Sequence, residues 1–354
     1  MHKSKFLHAL ARWFAPSNPA HNPTPAPLNI INEKKQPKPF TVGLFYPEKA
    51  IFLIRNPAAE HSHRLFEFAY PAEQWLPLTG DWANSGKMGS GLYDPNTSLF
   101  YLRDQDDSGY PDNTVYFGPA KAGWLPIAGD WNGAGRDNVG LYDPSTAQFF
   151  LNHTGKGGQA DRQFSFGTAA QAYLPLAGDW DGDGIDGIGL YDPINSLFYL
   201  RNQLSSGAAD YIFQFGTAGE DYLPLVGDWD GDGYDSIGLY HLPTQQFALR
   251  NALSAGAADS QFTFGLREAS VKPIALHWND WQLRDIQSDH NLAERLGVVK
   301  NHEIEEVVPN ALSVGSFADE AQRSTKPVRM GLRRVASVAK TPKPPKSKKA
   351  TSQS

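Results

Sequence analysis

The sequence predicts an all-β protein, a five-bladed β-propeller with four strands in each blade. Three observations predict it: a repeat of about 49 residues, four short apolar stretches in each repeat, and two incomplete fragments that complement each other at the ends of the repeat region. The composition agrees, because 33 Gly and 26 Pro in 354 residues are too many for a helix bundle and suit short strands joined by turns.

The repeat is marked most clearly by a tryptophan that recurs at a constant spacing. Four consecutive steps of 49 residues separate Trp82, Trp131, Trp180, Trp229 and Trp278. A second marker, Gly-Leu followed by Tyr or Phe, begins at Gly43, Gly91, Gly140, Gly189 and Gly238. Two markers with the same period indicate five copies of one structural unit.

Each copy contains four short apolar stretches separated by turn residues. In the third copy these stretches are residues 174–180, 188–191, 197–200 and 211–215. Gly, Asp, Asn, Pro and Ser fill the gaps between them, as tight connections require. Four strands in 49 residues are typical of a propeller blade, and the helical crossovers that a parallel sheet needs have no room between them.

The ends of the repeat region predict how the ring closes. Four complete copies begin near residues 76, 125, 174 and 223, whereas residues 42–69 supply only the last three strands of a copy and residues 273–278 only a first strand. Together these fragments make a fifth blade, which pairs the strand edges that an open ring would expose. The propeller is therefore predicted over residues 42–280, between a basic, Pro-rich segment (1–41) and a C-terminal extension (281–354), and both basic ends are predicted to be disordered.

The segment between the first and second strands of each copy carries the chemistry. We call residues 81–88, 130–137, 179–186 and 228–235 loops 1 to 4. Positions 1, 3, 5, 7 and 8 are Asp179, Asp181, Asp183, Ile185 and Asp186 in loop 3, and Asp228, Asp230, Asp232, Tyr234 and Asp235 in loop 4. Carboxylates at 1, 3, 5 and 8 and the carbonyl at 7 predict a calcium ion in each of these two loops. The alternative is an Asp-Gly turn whose carboxylates accept backbone N–H groups.

The other copies lose these residues progressively. Loop 2 keeps Asp130, Asn132 and Asp137 but has Ala134 at position 5, which predicts a weaker site. Loop 1 keeps only Asp81 and Ser85 and adds Lys87, and the fifth copy has His277 where the first Asp belongs, so no site is expected in either. Position 12 is Leu190 or Leu239 where an EF-hand has Glu, which excludes an EF-hand.

The motif Gly-Asp-Trp-Asp-Gly-Asp-Gly-(Ile/Tyr)-Asp-x-Ile-Gly-Leu-Tyr, in the third and fourth copies, resembles the FG-GAP/VCBS-type repeats of bacterial exported and surface proteins. These repeats are similar to the calcium-binding blades of integrin α-subunits. The resemblance implies structural calcium held by Asp179, Asp181 and Asp183 and by Asp228, Asp230 and Asp232. It also implies a secreted or cell-surface protein, although His8 and Arg12 interrupt what should be the apolar core of a signal peptide.

The sequence favours a non-catalytic binding module that presents loops to a glycan or protein partner. No catalytic residue is assigned, since no nucleophile, metalloprotease, phosphate-loop or dinucleotide motif is present and the chain has no cysteine. The alternative is a carbohydrate-active enzyme with carboxylates in the central channel. We expect the repeated tryptophans to pack in the core rather than to stack on sugars, and the recurrent Arg55, Arg103, Arg201 and Arg250 to pair with Asp between blades.

The charge is segregated along the chain. Residues 42–280 contain 13 basic and 29 acidic residues, whereas residues 321–354 contain ten Lys/Arg and no acid. Such a tail is expected to be disordered and offers a second alternative, an intracellular scaffold that binds nucleic acid or another polyanion. The candidate polyanion-binding residues are Arg333, Arg334, Lys340, Lys343, Lys346, Lys348 and Lys349.

Overall fold

The computed structural model describes residues 40–57, 63–268, 270–277, 299–300 and 303–304. These residues form five four-stranded antiparallel sheets arranged as a five-bladed β-propeller, together with one two-stranded hairpin. The described part contains no helix, and therefore none long and apolar enough to cross a membrane. The predicted fold class is confirmed.

Each blade is one four-stranded sheet. In blades 1 to 4 the strands are consecutive in the chain, whereas blade 5 combines strands from both ends of the repeat region. In chain order the strands are β1 (Phe40–Tyr46), β2 (Ile51–Ile54), β3 (Arg64–Glu67), β4 (Leu76–Gly80), β5 (Gly89–Asp94), β6 (Leu99–Leu102), β7 (Asn113–Tyr116), β8 (Leu125–Gly129), β9 (Asn138–Asp143), β10 (Gln148–Leu151), β11 (Arg162–Ser165), β12 (Leu174–Gly178), β13 (Gly187–Asp192), β14 (Leu197–Arg201), β15 (Tyr211–Gln214), β16 (Tyr222–Gly227), β17 (Ser236–His241), β18 (Gln246–Arg250), β19 (Ser260–Thr263), β20 (Lys272–His277), β21 (Val299–Lys300) and β22 (Glu303–Ile304). Blades 1 to 4 are β4–β7, β8–β11, β12–β15 and β16–β19.

Blade 5 closes the ring with strands from both ends of the repeat region. Its order is β20-β1-β2-β3, and β20 pairs with β1 from Phe40↔His277 to Phe45↔Lys272. The first strands of adjacent blades contact one another all the way round, including β16 with β20 and β20 with β4. The predicted shared blade is confirmed, and the ring leaves no first strand unpaired.

The repeat markers are explained by packing within each blade. The second strand is buried along its whole length in blades 1, 2 and 3. A Cβ on Gly189 would lie 2.7 Å from a Leu200 methyl, so the Gly-Leu-Tyr marker needs its glycine for close strand packing. The aromatic side chain of the second strand meets a phenylalanine of the third, as in Tyr191–Phe198 with ring centroids 4.8 Å apart.

The antiparallel order places the connections at two ends of the propeller. Loops 1 to 4 and the connections between third and fourth strands lie at one end, which we call the acidic-loop face. The turns between second and third strands and the links to the next blade lie at the other end, which we call the turn face. The two ends can therefore serve separate functions.

The recurrent arginines fold their own loops. Arg201 donates from Nε to the Ser205 carbonyl at 2.8 Å, and Arg250 donates likewise to the Ser254 carbonyl at 2.6 Å. Arg103 pairs with Asp107 of the same blade. The expectation of Arg–Asp pairs between blades is therefore wrong for these three residues, because each guanidinium lies within its own turn. Only Arg55 reaches another blade, with its guanidinium carbon 4.2 Å from the Phe262 ring centroid.

Blade 1 contains a buried polar pair where blades 3 and 4 have an apolar one. Ser90 donates a hydrogen bond to the Asp106 carboxylate at 2.6 Å, and both side chains are buried. The equivalent residues of blade 3 are Ile188 and Leu204, which belong to one apolar cluster. Burial raises the pKa of Asp106 to about 6, although the Ser90 hydrogen bond and the Arg64 charge act in the opposite direction.

Restoring the apolar pair should stabilise the protein at neutral pH. The folded protein holds a proton on Asp106 more tightly than the unfolded chain, so stability is lost as the pH rises from about 4 to 6, by roughly 3 kcal/mol. We expect Ser90→Ile combined with Asp106→Leu to raise the unfolding temperature at pH 7 and to gain less at pH 4. Thermal melts at both pH values test this, and an equal gain at the two would contradict it.

Several expectations lie outside the described residues. They are the disorder of both basic ends, the polyanion-binding residues between Arg333 and Lys349, and the packing of Trp278.

Candidate metal centre

Loops 3 and 4 are folded around their first aspartate. In loop 3, Asp179 Oδ1 accepts the N–H groups of Gly182 and Asp183, and its Oδ2 accepts that of Gly184 at 2.8 Å. Asp228 accepts the equivalent three bonds in loop 4. The first carboxylate therefore sets the path of the loop backbone.

This turn brings the predicted carboxylates together. Carboxylate oxygens of Asp179, Asp181 and Asp183 lie within 4.8 Å of one another, and those of Asp228, Asp230 and Asp232 do the same. The residues at positions 3 and 5 are exposed. Burial, followed by repulsion from Asp232, raises the pKa of Asp230, as expected for carboxylates that share one site.

Loops 1 and 2 separate the two explanations of the acidic loop. Asp81 accepts the N–H groups of Ser85 and Gly86, and Asp130 accepts those of Ala134 and Gly135. Loops 1 and 2 each have only one carboxylate among positions 1, 3 and 5, and both still make the same turn. The turn explains position 1 in all four loops, whereas the extra carboxylates of loops 3 and 4 add repulsion that a cation would relieve.

The aspartate at position 8 lies against the preceding blade. Asp235 Oδ2 accepts the backbone N–H of Asp179 at 3.0 Å, and the Asp235 N–H donates to the Asp179 carbonyl at 2.8 Å. Asp186 makes the same two bonds to Asp130, at 2.7 and 3.0 Å. We call this two-bond contact the inter-blade clasp. It directs the position-8 carboxylate to the backbone of a neighbouring loop.

A third clasp joins blade 2 to blade 1 through the position-8 aspartate of loop 2. Asp137 Oδ2 accepts the Asp81 N–H at 2.6 Å, and the Asp137 N–H donates to the Asp81 carbonyl at 3.1 Å. Asn132 accepts the N–H of Ala134. The clasp directs Asp137 to the backbone of loop 1, and the weaker site at Asp130, Asn132 and Asp137 stays a prediction.

The clasp carboxylates are close to one another and to the loops. Burial, followed by the charges of Asp137 and Asp235, raises the pKa of Asp186 well above its usual range. Burial also raises the pKa of Asp235 to about 7 and that of Asp137 to about 6. The clasps thus bring three carboxyl groups together beneath the acidic-loop face, where each holds its proton more tightly than an exposed aspartate does.

The repeated tryptophans are packing residues. Trp82, Trp131 and Trp180 are buried, with at most 3% of each exposed, and Trp229 packs partly buried beside Phe40. Trp180 Nε1 also donates to the Ile188 carbonyl at 3.3 Å. The three buried side chains have no free face for a sugar ring, and Phe40 packs against the ring of Trp229, which agrees with the core role expected from the sequence.

A groove on the turn face has no counterpart in the sequence analysis. It has a volume of about 340 Å³ and is lined by Pro193, Ile194, Gly219, Glu220, Asp221, Tyr222, Leu223 and Leu242. Ile194 is 66% exposed, although the equivalent turn residues of blades 1 and 2 are Asn96 and Ser145. His241, where those blades have Asp, places Nε2 3.3 Å from the Glu220 carboxylate. Comparison of the copies would have revealed these replacements.

No family model and no curated protein sequence matches the chain. Among solved structures it is similar to virginiamycin B lyase from Staphylococcus aureus, with 7% identity, a TM-score of 0.35, and 66% of this chain and 72% of that chain covered. It is also similar to a Bacteroides caccae protein of unknown function, with 10% identity, a TM-score of 0.38, and 64% of this chain and 73% of that chain covered. A third similar structure is an Agrocybe aegerita lectin that recognises non-reducing terminal N-acetylglucosamine, with 11% identity, a TM-score of 0.34, and 66% of this chain and 78% of that chain covered. At these values the similarities carry no argument about activity or ligand.

Proposed function

We propose that the chain is a calcium-stabilised, non-catalytic binding module with FG-GAP/VCBS-type blades. The observation that carries this proposal is the pair of three-carboxylate clusters in adjacent blades, at Asp179, Asp181 and Asp183 and at Asp228, Asp230 and Asp232. Their all-oxygen donor set suits a hard cation, and a flexible loop suits Ca²⁺ better than the smaller Mg²⁺. The ion would neutralise the charge of each cluster, while the carbonyls of Ile185 and Tyr234 remain proposed additional ligands.

The groove on the turn face favours a protein partner over a glycan. Its lining includes the aliphatic side chains of Ile194, Leu223 and Leu242 together with the exposed carboxylates of Glu220 and Asp221. Exposed aliphatic residues beside negative charge complement a peptide that presents an apolar side chain next to Lys or Arg. The face of Tyr222 that a sugar would need is partly covered by His241, with ring centroids 4.9 Å apart.

We expect the wild-type protein to bind peptides that pair Leu, Ile or Phe with Lys or Arg. The assay is fluorescence polarisation with a library of such peptides, run beside a glycan array and a panel of chromogenic glycosides. Ile194→Asp and Glu220→Lys should each weaken peptide binding about tenfold without lowering the unfolding temperature. Ile212→Asp is the matched control, because Ile212 is 62% exposed on β15 and does not line the groove.

Binding only to glycans, or glycoside hydrolysis, would contradict the partner class. Equal loss of peptide binding in Ile194→Asp and Ile212→Asp would contradict the location.

A further inference from the structure

We propose that Asp235, in blade 4, is a positioning residue for the calcium loop of blade 3. The inference rests on the proposed function, because it concerns how loop 3 holds the ion. The resemblance to other calcium blades would place the last acid of a loop around its own ion. The geometry instead assigns Asp235 to the loop that precedes it in the ring.

The contact is made to the residue on which loop 3 is built. Both backbone groups of Asp179 are held by Asp235, through the 3.0 Å bond to Oδ2 and the 2.8 Å bond from the Asp235 N–H. Both carboxylate oxygens of Asp179 are held by the loop backbone. Its carboxylate therefore approaches the cluster from a fixed direction, and loss of the clasp frees the residue that begins the loop.

Blade 4 contributes a second contact to the same loop. A Cβ on Gly182 would lie 2.9 Å from the Tyr234 ring, so that ring lies directly over position 4 of loop 3. Gly182 also has φ of +73°, which a side chain would strain. Two consecutive residues, Tyr234 and Asp235, thus complete the loop of the preceding blade.

Loop 4 lacks this support, which makes the proposal specific. The residue of blade 5 that takes the place of position 8 is Phe40, whose N–H donates to the Asp228 carbonyl at 2.8 Å. Phe40 has no carboxylate to accept the Asp228 N–H in return. Loop 3 should therefore depend on a carboxyl group of its neighbour in the ring, whereas loop 4 receives only the backbone bond from Phe40.

The test isolates one calcium loop at a time. Asp230→Ala leaves loop 3 as the calcium site, and Asp181→Ala leaves loop 4. In the Asp230→Ala protein, we expect Asp235→Ala to weaken Ca²⁺ binding about tenfold, and Asp235→Asn to weaken it less because the amide oxygen can still accept the Asp179 N–H. In the Asp181→Ala protein, Asp235→Ala should change the affinity less than twofold. Calorimetric titration with Ca²⁺ measures each value, and thermal melts confirm folding.

Asp186→Ala is the matched control. It removes an equivalent carboxyl group and the equivalent Oδ2 bond of a clasp, but it acts on Asp130 of loop 2. We expect it to leave the affinity of loop 3 unchanged in the Asp230→Ala protein. A loss in loop 3 from Asp186→Ala, with a loss in loop 4 from Asp235→Ala, would show that each aspartate serves its own loop and would overturn the inference.

The remaining outcomes are also decisive. If Asp235→Ala lowers the Ca²⁺ affinity of both loops equally, the substitution destabilises the protein generally. That result would overturn the inference but not the proposed function. Wild-type protein that binds no Ca²⁺ would overturn the proposed function and the inference together.

Discussion

Deletion of residues 271–354 should abolish the cooperative unfolding transition of the propeller. This deletion removes β20, the first strand of blade 5, and leaves the edge of β1 unpaired. It also removes the buried Ile274 and Leu276, which belong to a cluster with Phe45 and Phe52. Loss of each large aliphatic side chain costs about 2–5 kcal/mol, so the total is comparable with the whole stability of a domain.

Deletion of residues 309–354 is the control for the ring-closure prediction. It keeps every strand of the propeller and should shift the unfolding temperature by only a few degrees. Thermal unfolding followed by circular dichroism measures both proteins. A sharp transition in the protein that lacks residues 271–354, near the wild-type temperature, would mean that β20 does not close the ring.

Removal of calcium should lower the unfolding temperature markedly. An ion that binds only the folded state stabilises it by about 2.7 kcal/mol when its concentration is a hundred times its Kd, so two sites give roughly 5 kcal/mol. For a domain of this size that corresponds to a shift of roughly 10–20 °C. We expect EDTA to produce this shift in thermal melts, and added Ca²⁺ to restore the original value better than equal Mg²⁺.

Variants divide the calcium effect between the two loops. Asp181→Ala and Asp230→Ala should each remove about half of the calcium-dependent shift, because each removes one carboxylate from a different cluster. Asp81→Ala should lower stability equally with and without calcium, since Asp81 closes a turn through Ser85 and Gly86 and belongs to neither cluster. A calcium-dependent shift that Asp81→Ala reduces as much as Asp181→Ala would contradict the assignment.

The sequence predicts the blades well because their structure is local. Alternating apolar stretches, glycine turns and a constant spacing decide which residues pair within a blade, and the complementary fragments at residues 42–69 and 273–278 decide how the ring closes. The three carboxylates of each cluster are also predictable, since all of them belong to one tight turn.

Contacts between blades are not predictable in the same way. Asp186 and Asp130 are 56 residues apart, and their contact depends on how closely adjacent blades approach. The position of a residue within the repeat does not indicate whether its side chain contacts its own loop or the loop of the neighbouring blade. The contacts of Arg201 are not predictable for a related reason. Its long side chain can reach several carbonyls of its own turn as easily as a distant carboxylate.

The number of calcium ions bound by the full-length protein tests the central claim most directly. Calorimetric titration of metal-free protein should give two Ca²⁺ ions per chain, one for the Asp230→Ala variant, and none when Asp181→Ala is added to it. Wild-type protein that gives no heat with Ca²⁺, or a double variant that still binds two ions, would show that loops 3 and 4 are turns without a metal.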